Sequence, residues 1–271
     1  MNKKLRNHPS LAIWCGSNNI EFLHTAGKLG KNKKAYFKEI FHEILPNAVK
    51  DISPDIPYIS STPLAEKNKF DHKHIQTSNT WDIWSAHQPV ENFLNTANIP
   101  NFTVEFGFQS LPSLRCLKKI SQDKDISSNT KTIQKHNYQQ NGSSRLNRYM
   151  TDIFGFPKNI HDYIFLSQLT QARAAKMNIE TLRSNKHKNN GVLLWQFNDT
   201  FPAVTWSAVD HNLCPKIVAY YLKRSFRNHL LTLTCQPAMN NNIPFRLPQK
   251  AVLINETDLS ATARLCCQLM D

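Results

Sequence analysis

Short apolar runs alternate with helical patterns along residues 1–227, and this alternation limits the possible folds more than any other feature of the sequence. The runs that predict strands lie at residues 11–15, 57–61, 102–106 and 191–197, and residues 75–84 are ambiguous. Helices are expected at residues 35–45, after Pro215, and where apolar side chains recur every three or four positions, at Phe165, Leu169, Ala172, Ala175, Ile179 and Leu182. Strand–helix alternation favours a parallel α/β sheet or barrel.

The pattern changes in the last part of the chain. Residues 230–235 and 250–254 predict strands without a helix between them, which is typical of a β-sandwich that is incomplete here. The polar residues 118–147 are expected to form a long loop around a short helix. We therefore predict an α/β domain over residues 1–227 and a sandwich-like segment over residues 228–271.

Composition restricts the partners and cofactors. The formal net charge is +13, but the basic residues are scattered and no base-reading motif accompanies them, so we expect no nucleic-acid partner. The densest basic cluster is Lys28, Lys31, Lys33, Lys34 and Lys38. The six cysteines form no C-x-x-C pair, which predicts free thiols and no metal site. No apolar run reaches the length of a signal peptide or a membrane span, so we expect no membrane association and a cytoplasmic location.

Glu105 is the residue most suggestive of chemistry. It lies near the end of the β-branched and aromatic run at residues 102–106 and is followed closely by Gly107. Barrel enzymes carry their catalytic groups at the carboxyl ends of strands, so a carboxylate in this position predicts an active site. The alternative is a solvated glutamate on an edge strand.

Several segments, taken together, resemble the β-mannosidases of glycoside hydrolase family two. Residues 8–19 resemble the segment that carries the acid/base in that family, and residues 102–110 resemble its nucleophile strand. Residues 191–202, followed by residues 206–210, resemble its last barrel strand, and residues 81–84 have a counterpart upstream of the nucleophile. The resemblance covers most of residues 8–227, with the motifs in the family's order.

The resemblance implies a fold and a reaction. The fold is a partial (β/α)8 TIM-type barrel, from about the fourth to the eighth strand, followed by the start of an Ig-like β-sandwich. The reaction is the retaining hydrolysis of terminal β-D-mannosides, in which one carboxylate attacks the anomeric carbon and another protonates the departing oxygen. A β-mannoside oligosaccharide is then the substrate, and the chemistry requires no metal and no organic cofactor.

The resemblance also assigns roles to single residues. Glu105 matches the nucleophile, and Trp195, Asn198 and Asp199 match the floor and wall of the sugar subsite, with Asn18 in the same substrate-binding set. Trp195 is alternatively a packed core aromatic, because it lies within an apolar run. Trp84 is interpreted either as a stacking platform for a pyranose ring or as a loop anchor.

One motif residue departs from the family. Asn19 occupies the position of the general acid, and an amide does not give up a proton at neutral pH. Glu21, two residues further on, is a candidate surrogate acid if the loop is shifted. The alternative is that Glu21 begins a helix and favours its N-terminal end.

The resemblance starts at the family's fourth barrel strand, almost at Met1, so the sequence is interpreted as a fragment. We expect a second chain to supply the missing barrel strands, or else weak or absent activity of the isolated chain. The alternative function is a non-catalytic carbohydrate-binding remnant or pseudoenzyme.

Overall fold

The structure, a computed structural model, describes most of the chain, with gaps. The described residues are 2–25, 36–65, 75–97, 99–121, 131–137, 139–234, 250–260, 262–264 and 266. Four members of the lysine cluster, at positions 28, 31, 33 and 34, lie outside them. The chain separates into two compact units, and the first consists of Met1–Gln88, Ala97–Gly107 and Lys186–Trp195. The second unit consists of Pro89–Thr96, Phe108–Asn185 and Gln196–Asp271.

Parallel strand pairing organises the first unit. Its strands are β1 (Trp14–Asn18), β2 (Tyr58–Thr62), β3 (Leu64–Ala65), β4 (Ile75–Thr80) and β5 (Phe102–Phe106). Strand β1 pairs in parallel with β2, and β4 pairs in parallel with β5, while the short β3 is antiparallel to β4. The strands predicted at residues 57–61 and 102–106 are confirmed within one residue, and the ambiguous residues 75–84 form β4 and a short helix, α5 (Asp82–Ser85).

The first strand is displaced from its predicted position. The apolar run at residues 11–15 predicted a strand that ends at Gly16, whereas β1 runs through Gly16 to Asn18. A glycine is required there because a Cβ would lie 2.1 Å from Tyr58 Oη and 2.8 Å from the Ser60 carbonyl oxygen. Gly16 therefore permits close strand pairing instead of ending the strand.

Residues 191–195 lie alongside β5, but they do not form the regular strand that was predicted over residues 191–197. Thr103 N–H donates to the Gly191 carbonyl oxygen, and Leu193 N–H donates to the Thr103 carbonyl oxygen, both at 2.9 Å. Only an isolated parallel bridge, between Thr103 and Val192, forms there. A Cβ on Gly191 would lie 2.3 Å from the Phe102 ring, so this glycine allows the segment to approach β5 closely.

The helices of the first unit are short. They are α1 (Asn2–Leu5), α2 (Ile20–Thr25), α3 (Tyr36–Glu39) and α4 (Leu45–Ile52), and a π-helix, Ile40–Ile44, joins α3 to α4. The sequence predicted a helix over residues 35–45 that stops near Pro46, but helical structure continues to Ile52. Pro46 lies inside this continuous helical run, two residues after the π-helix, so its missing N–H falls where the α-helical hydrogen-bond pattern is already altered.

The second unit is mainly helical. Its helices are a 3-10 helix (Val90–Leu94), α6 (Leu114–Ile120), α7 (Lys131–Lys135), α8 (Gly142–Phe154), α9 (Ile160–Ser184) and α10 (Ile217–Ser225). Strands β6 (His229–Thr234) and β7 (Lys250–Asn255) pair in antiparallel register, close to the strands predicted there. The expected loop at residues 118–147 is wrong at both ends, because α6 continues to Ile120 and α8 already begins at Gly142.

Helix α9 agrees with its predicted apolar periodicity, with one exception. Its N-terminus is capped by Asn159, whose Oδ1 accepts from the N–H groups of His161 (2.9 Å) and Asp162 (3.0 Å). Ala172, Ile179 and neighbouring small residues are buried, but Phe165 is 55% exposed and lies off the buried face. No helix among the described residues is long and apolar enough to cross a membrane.

A buried arginine joins α9 to the segment around the β6–β7 pair. Arg183, 7% exposed, contacts the Glu256 carboxylate (2.8 Å) and donates to the carbonyl oxygens of Ser225 and Arg227. Because the arginine's charge is removed from water, it depends on these partners for its stability. Removing the arginine would in turn leave the Glu256 carboxylate and the two carbonyl oxygens without their donor.

We expect Arg183→Met to lower the free energy of unfolding by about 3–5 kcal/mol, since it breaks a buried charge network. The matched control is Arg148→Met, which removes an exposed pair with Asp152 (3.8 Å) and should change stability by less than about 1 kcal/mol. Urea unfolding followed by circular dichroism measures both changes. Equal effects of the two substitutions would contradict this role of Arg183.

Candidate active site

Polar side chains meet at the carboxyl ends of the parallel strands in the first unit. Asn18 is the last residue of β1, Asn79 and Glu105 each precede the last residue of β4 and β5, and Trp81 follows β4. Asn79 and Glu105 are also partners in the β4–β5 register. Parallel pairing aligns the ends of β4 and β5, while β1 belongs to a separate two-stranded sheet with β2. The carboxyl ends of parallel strands are where α/β folds hold ligands and catalytic groups.

The carboxylate of Glu105 is held at both oxygens. Asn18 Nδ2 donates to Oε1 at 2.7 Å, and Trp81 Nε1 donates to Oε2 at 2.9 Å. Glu105 is half-buried, so the group is oriented by the protein and still reaches solvent. Hydrogen bonds to a charged acceptor are stronger than neutral ones, and each carboxylate oxygen keeps a second lone pair for a ligand.

Asn79 connects Asn18, the last residue of β1, to Asn19, which follows it. Its Nδ2 donates to Asn18 Oδ1 at 3.0 Å and to Asn19 Oδ1 at 3.1 Å. Thr62 Oγ1, from the end of β2, also donates to Asn18 Oδ1, at 3.3 Å. The three amides and Glu105 therefore form one hydrogen-bonded group, which we call the amide cluster: Asn18, Asn19, Asn79 and Glu105.

Asn19 has a backbone conformation that suits an asparagine. Its φ is 62°, in the left-handed region that asparagine tolerates better than most residues. Its N–H donates to the Thr62 carbonyl oxygen at 2.6 Å, and the next residue begins α2. Asn19 thus marks the turn from the strand into the helix.

Glu21 is directed to a different partner. It lies in the first turn of α2, and its Oε1 is 2.7 Å from His42 Nε2. This position agrees with the helix-start alternative, since a carboxylate is favourable at a helix N-terminus. A role as surrogate acid remains a prediction.

The two tryptophans proposed for sugar binding differ in exposure. Trp84, in α5, is 1% exposed and so presents no free ring face, which agrees with the anchor alternative. Trp195 is 43% exposed, so it is not a packed core aromatic. Its backbone N–H donates to the Phe106 carbonyl oxygen at 2.9 Å. An exposed indole next to the end of β5 is available for a ligand.

Asn198 and Asp199 lie in the second unit. Asn198 is exposed and forms a parallel bridge with Val209. Asp199 is buried, and its two oxygens accept from the hydroxyls of Thr205 and Ser207, both at 2.6 Å. It borders a cavity of about 400 Å³ within this unit, lined by Gln109, Gln139, Gln196, Asp199, Thr200, Phe201, Val204, Thr205 and Trp206.

The second unit also buries the charged side chains of Lys216 and Asp210. Lys216 Nζ donates to the carbonyl oxygens of Thr205 (3.3 Å) and Ser110 (3.4 Å). Burial lowers the pKa of Lys216 to about 8, although the carboxylates of Asp199 and Asp210 raise it. Burial by itself raises the pKa of Asp210, but hydrogen bonds, first among them those from Ser113, hold this pKa below its ordinary value.

Over most of its length, the chain is similar to known β-mannosidases. β-Mannosidase B of Aspergillus niger is 25% identical over 237 residues, which cover 82% of this chain and 28% of that protein. β-Mannosidase B of Emericella nidulans is 24% identical over 237 residues. The crystal structure of a β-D-mannosidase from Dictyoglomus thermophilum matches with a TM-score of 0.79 and 30% identity, covering 85% of this chain. No family model matches.

The chain is related to the β-mannosidases of glycoside hydrolase family two. It spans about 28% of the length of these β-mannosidases. An exo-chitosanase from Amycolatopsis orientalis matches with a TM-score of 0.62 over 94% of this chain at 15% identity, a likeness of fold alone. The α/β architecture is thus a glycosidase fold.

The structure of this chain places two residues at the candidate site that were not predicted as site residues. Trp81 belongs to the motif at residues 81–84, but Trp84 was chosen as the functional indole, whereas Trp81 contacts Glu105. Asn79 carried no sequence signal, because its role depends on strand register. Among the described residues, no group of three or more metal-ligating side chains occurs.

We expect Lys216 to make stability depend on pH. Its folded pKa is about 8 against 10.5 for the unfolded chain, so between these values the unfolded state holds more protons and stability rises with pH. Relative to Lys216→Met, the wild-type free energy of unfolding should rise by about 2 kcal/mol from pH 8 to pH 10. Urea titrations at both pH values measure the difference.

The control is Lys118→Met, which removes an exposed lysine. The difference in free energy of unfolding between the wild type and this variant should not change between pH 8 and pH 10. Cys116 acts in the opposite direction, because burial raises its pKa to about 11. It is present in all three proteins, so its contribution largely cancels. If the difference between the wild type and Lys216→Met did not change with pH, burial would not lower the pKa of Lys216.

Proposed function

We propose that the chain carries the nucleophile of a retaining glycoside hydrolase of β-mannosidase type, acting on terminal β-D-mannosides. The observation that supports this most is Glu105, whose two oxygens accept from Asn18 and Trp81 at the ends of parallel strands. An oriented, half-buried carboxylate is what attack on an anomeric carbon requires. The relationship to β-mannosidases supports the same reaction class and a carbohydrate substrate.

In the proposed reaction, an oxygen of Glu105 attacks the anomeric carbon while the bond to the leaving oxygen breaks. Water then hydrolyses the glycosyl–Glu105 ester, and the configuration is retained. Asn18 and Trp81 hold the carboxylate so that it does not reorient during attack. Asn19 can donate a hydrogen bond to the leaving oxygen but cannot protonate it, so turnover should be slow unless the leaving group is good.

The substrate contacts follow from the same proposal. Trp195 is the platform for the pyranose ring, and Asn18 contacts the sugar beside the nucleophile. The roles of Asn198 and Asp199 in the wall of the subsite remain predictions from the family resemblance. Trp84 supports the motif from within the core, in keeping with its burial. No cofactor is required.

The finer fold belongs to this proposal as well. The parallel pairs β1–β2 and β4–β5, and the bridge from β5 to residue 192, support a partial (β/α)8 barrel. The antiparallel β6–β7 pair supports the start of an Ig-like sandwich. The domain limits at residues 1–227 and 228–271 remain a prediction.

The second candidate function is carbohydrate binding without turnover. The amide at position 19 favours it, because the chain then holds a hydrogen-bonding residue where the reaction needs an acid. Loss of positioned acid catalysis typically costs about 10²–10⁴-fold in rate. The two functions differ in whether Glu105 forms a covalent bond.

An activated substrate distinguishes them. With 2,4-dinitrophenyl β-D-mannoside, whose leaving group needs little protonation, we expect a burst of dinitrophenol from the wild type that Glu105→Gln abolishes. Stopped-flow absorbance measures the burst, and Glu43→Gln, at an exposed glutamate, serves as the matched control. No burst from the wild type, or a burst that survives in Glu105→Gln, would refute the nucleophile assignment.

Restoring the acid should restore turnover of poor substrates. We expect Asn19→Glu to accelerate hydrolysis of an alkyl β-mannoside by about 10²–10⁴-fold, whereas Asn19→Gln should give no gain. A glutamate at φ 62° is strained by about 1–2 kcal/mol, so unfolding is measured alongside activity. Failure of a folded Asn19→Glu protein to gain activity would show that position 19 does not face the leaving oxygen.

In the same assays, Glu21→Gln tests the surrogate acid. If Glu21 only begins α2, the variant should retain the wild-type rate on the alkyl substrate. A fall of about 10²-fold or more would identify Glu21 as the acid.

A further inference from the structure

The side chain of Asn79 faces two other amides rather than the carboxylate beside it. In the β4–β5 register Asn79 is the partner of Glu105, but its Nδ2 donates to Asn18 and Asn19. An amide nitrogen carries two hydrogens, and these two acceptors account for both. Asn79 therefore acts in this cluster as a donor.

This donation fixes which end of the Asn18 amide faces Glu105. Asn18 Oδ1 accepts from Asn79 at 3.0 Å and from Thr62 at 3.3 Å, so its Nδ2 is turned to Glu105 at 2.7 Å. If the amide were reversed, Asn18 Oδ1 would lie against the carboxylate oxygen, and two acceptors would repel each other. Its Nδ2 would also face the donor Nδ2 of Asn79.

The same donation fixes the orientation of Asn19. Because Asn19 Oδ1 accepts from Asn79 Nδ2 at 3.1 Å, its own N–H groups are directed elsewhere. Among the described residues, none accepts a hydrogen bond from Asn19 Nδ2. At the position of the missing acid, the chain thus presents a hydrogen-bond donor.

We propose that Asn79 is a positioning residue that sets the hydrogen-bond polarity of Asn18 and Asn19, so that Asn18 presents its N–H groups to Glu105 and the side-chain N–H groups of Asn19 are left for a ligand. It touches neither substrate nor Glu105 in this role and acts through the two neighbouring asparagines. The inference rests on the proposed function for its catalytic meaning, but the polarity itself is a property of the resting protein.

The decisive variant is Asn79→Asp, which keeps the shape of the side chain and replaces its donor by an acceptor. Asn18 is then expected to turn its N–H groups toward the new carboxylate and away from Glu105. The matched control is Asn101→Asp, at an exposed amide of the same unit whose Nδ2 lies 3.5 Å from the Lys188 carbonyl oxygen. Both variants add the same charge.

The first measurement does not depend on activity. In 15N-labelled protein, the Asn18 side-chain amide signals, assigned by their loss in Asn18→Asp, should shift when Glu105→Gln removes the carboxylate. In Asn79→Asp that response should be lost, whereas Asn101→Asp should retain it. Retention of the response in a folded Asn79→Asp protein would overturn the proposal.

The second measurement concerns reactivity. The rate of covalent labelling of Glu105 by 2-deoxy-2-fluoro-β-mannosyl fluoride, followed by intact mass, should fall by at least about tenfold in Asn79→Asp, because a hydrogen bond to a charged group is lost. Asn101→Asp should label within about twofold of the wild type. If the wild type does not label, the proposed function fails while the amide signals still decide the role of Asn79.

Asn79→Leu supplies a second variant that removes the donor without adding charge. It covers the case in which Asn79→Asp does not fold. Here Asn18 keeps only the Thr62 donor, so a partial loss of the NMR response is expected. An unchanged response in a folded Asn79→Leu protein would overturn the proposal equally.

Discussion

The site in the first unit depends on side-chain hydrogen bonds between the ends of two separate pairs of parallel strands, β1–β2 and β4–β5. Asn18 and Glu105 are 87 residues apart in the chain and belong to different sheets, yet their side chains are 2.7 Å apart. A change of register by one residue would turn these side chains to the opposite face. Gly16 allows β1 to lie close to the Ser60 carbonyl oxygen of β2, and Gly191 leaves room for the Phe102 ring of β5.

The amide cluster shows why an asparagine at position 19 is structurally acceptable, and under the proposed function the same residue is chemically costly. Its left-handed φ, the hydrogen bond to Thr62 and the acceptor role toward Asn79 all suit an asparagine. None of these interactions involves a transferable proton. Folding and binding can therefore be retained while acid catalysis is lost, because the two depend on different properties of one side chain.

Much of this arrangement could be predicted from sequence, but its connections could not. Strand β5, helix α9 and the carboxylate at position 105 carry local signals, namely β-branched residues, helical periodicity and a strand-end motif. The position of β1 was predicted wrongly because Gly16 resembled a strand end, whereas a glycine is needed there because a Cβ would collide with Tyr58 Oη and the Ser60 carbonyl oxygen. The roles of Asn79 and Trp81 arise from contacts with residues that are far away in the sequence, so no local pattern identifies them.

The second unit shows how a family motif residue can be committed to structure. Both oxygens of Asp199 are occupied by the hydroxyls of Thr205 and Ser207, and its charge favours the protonated form of the buried Lys216. Removing this carboxylate would leave the lysine with one fewer counter-charge, so its effect on stability would precede any effect on binding. A sugar contact by Asp199 would therefore use only the remaining lone pairs, and the residue would contribute to recognition mainly by holding the adjoining segment in place.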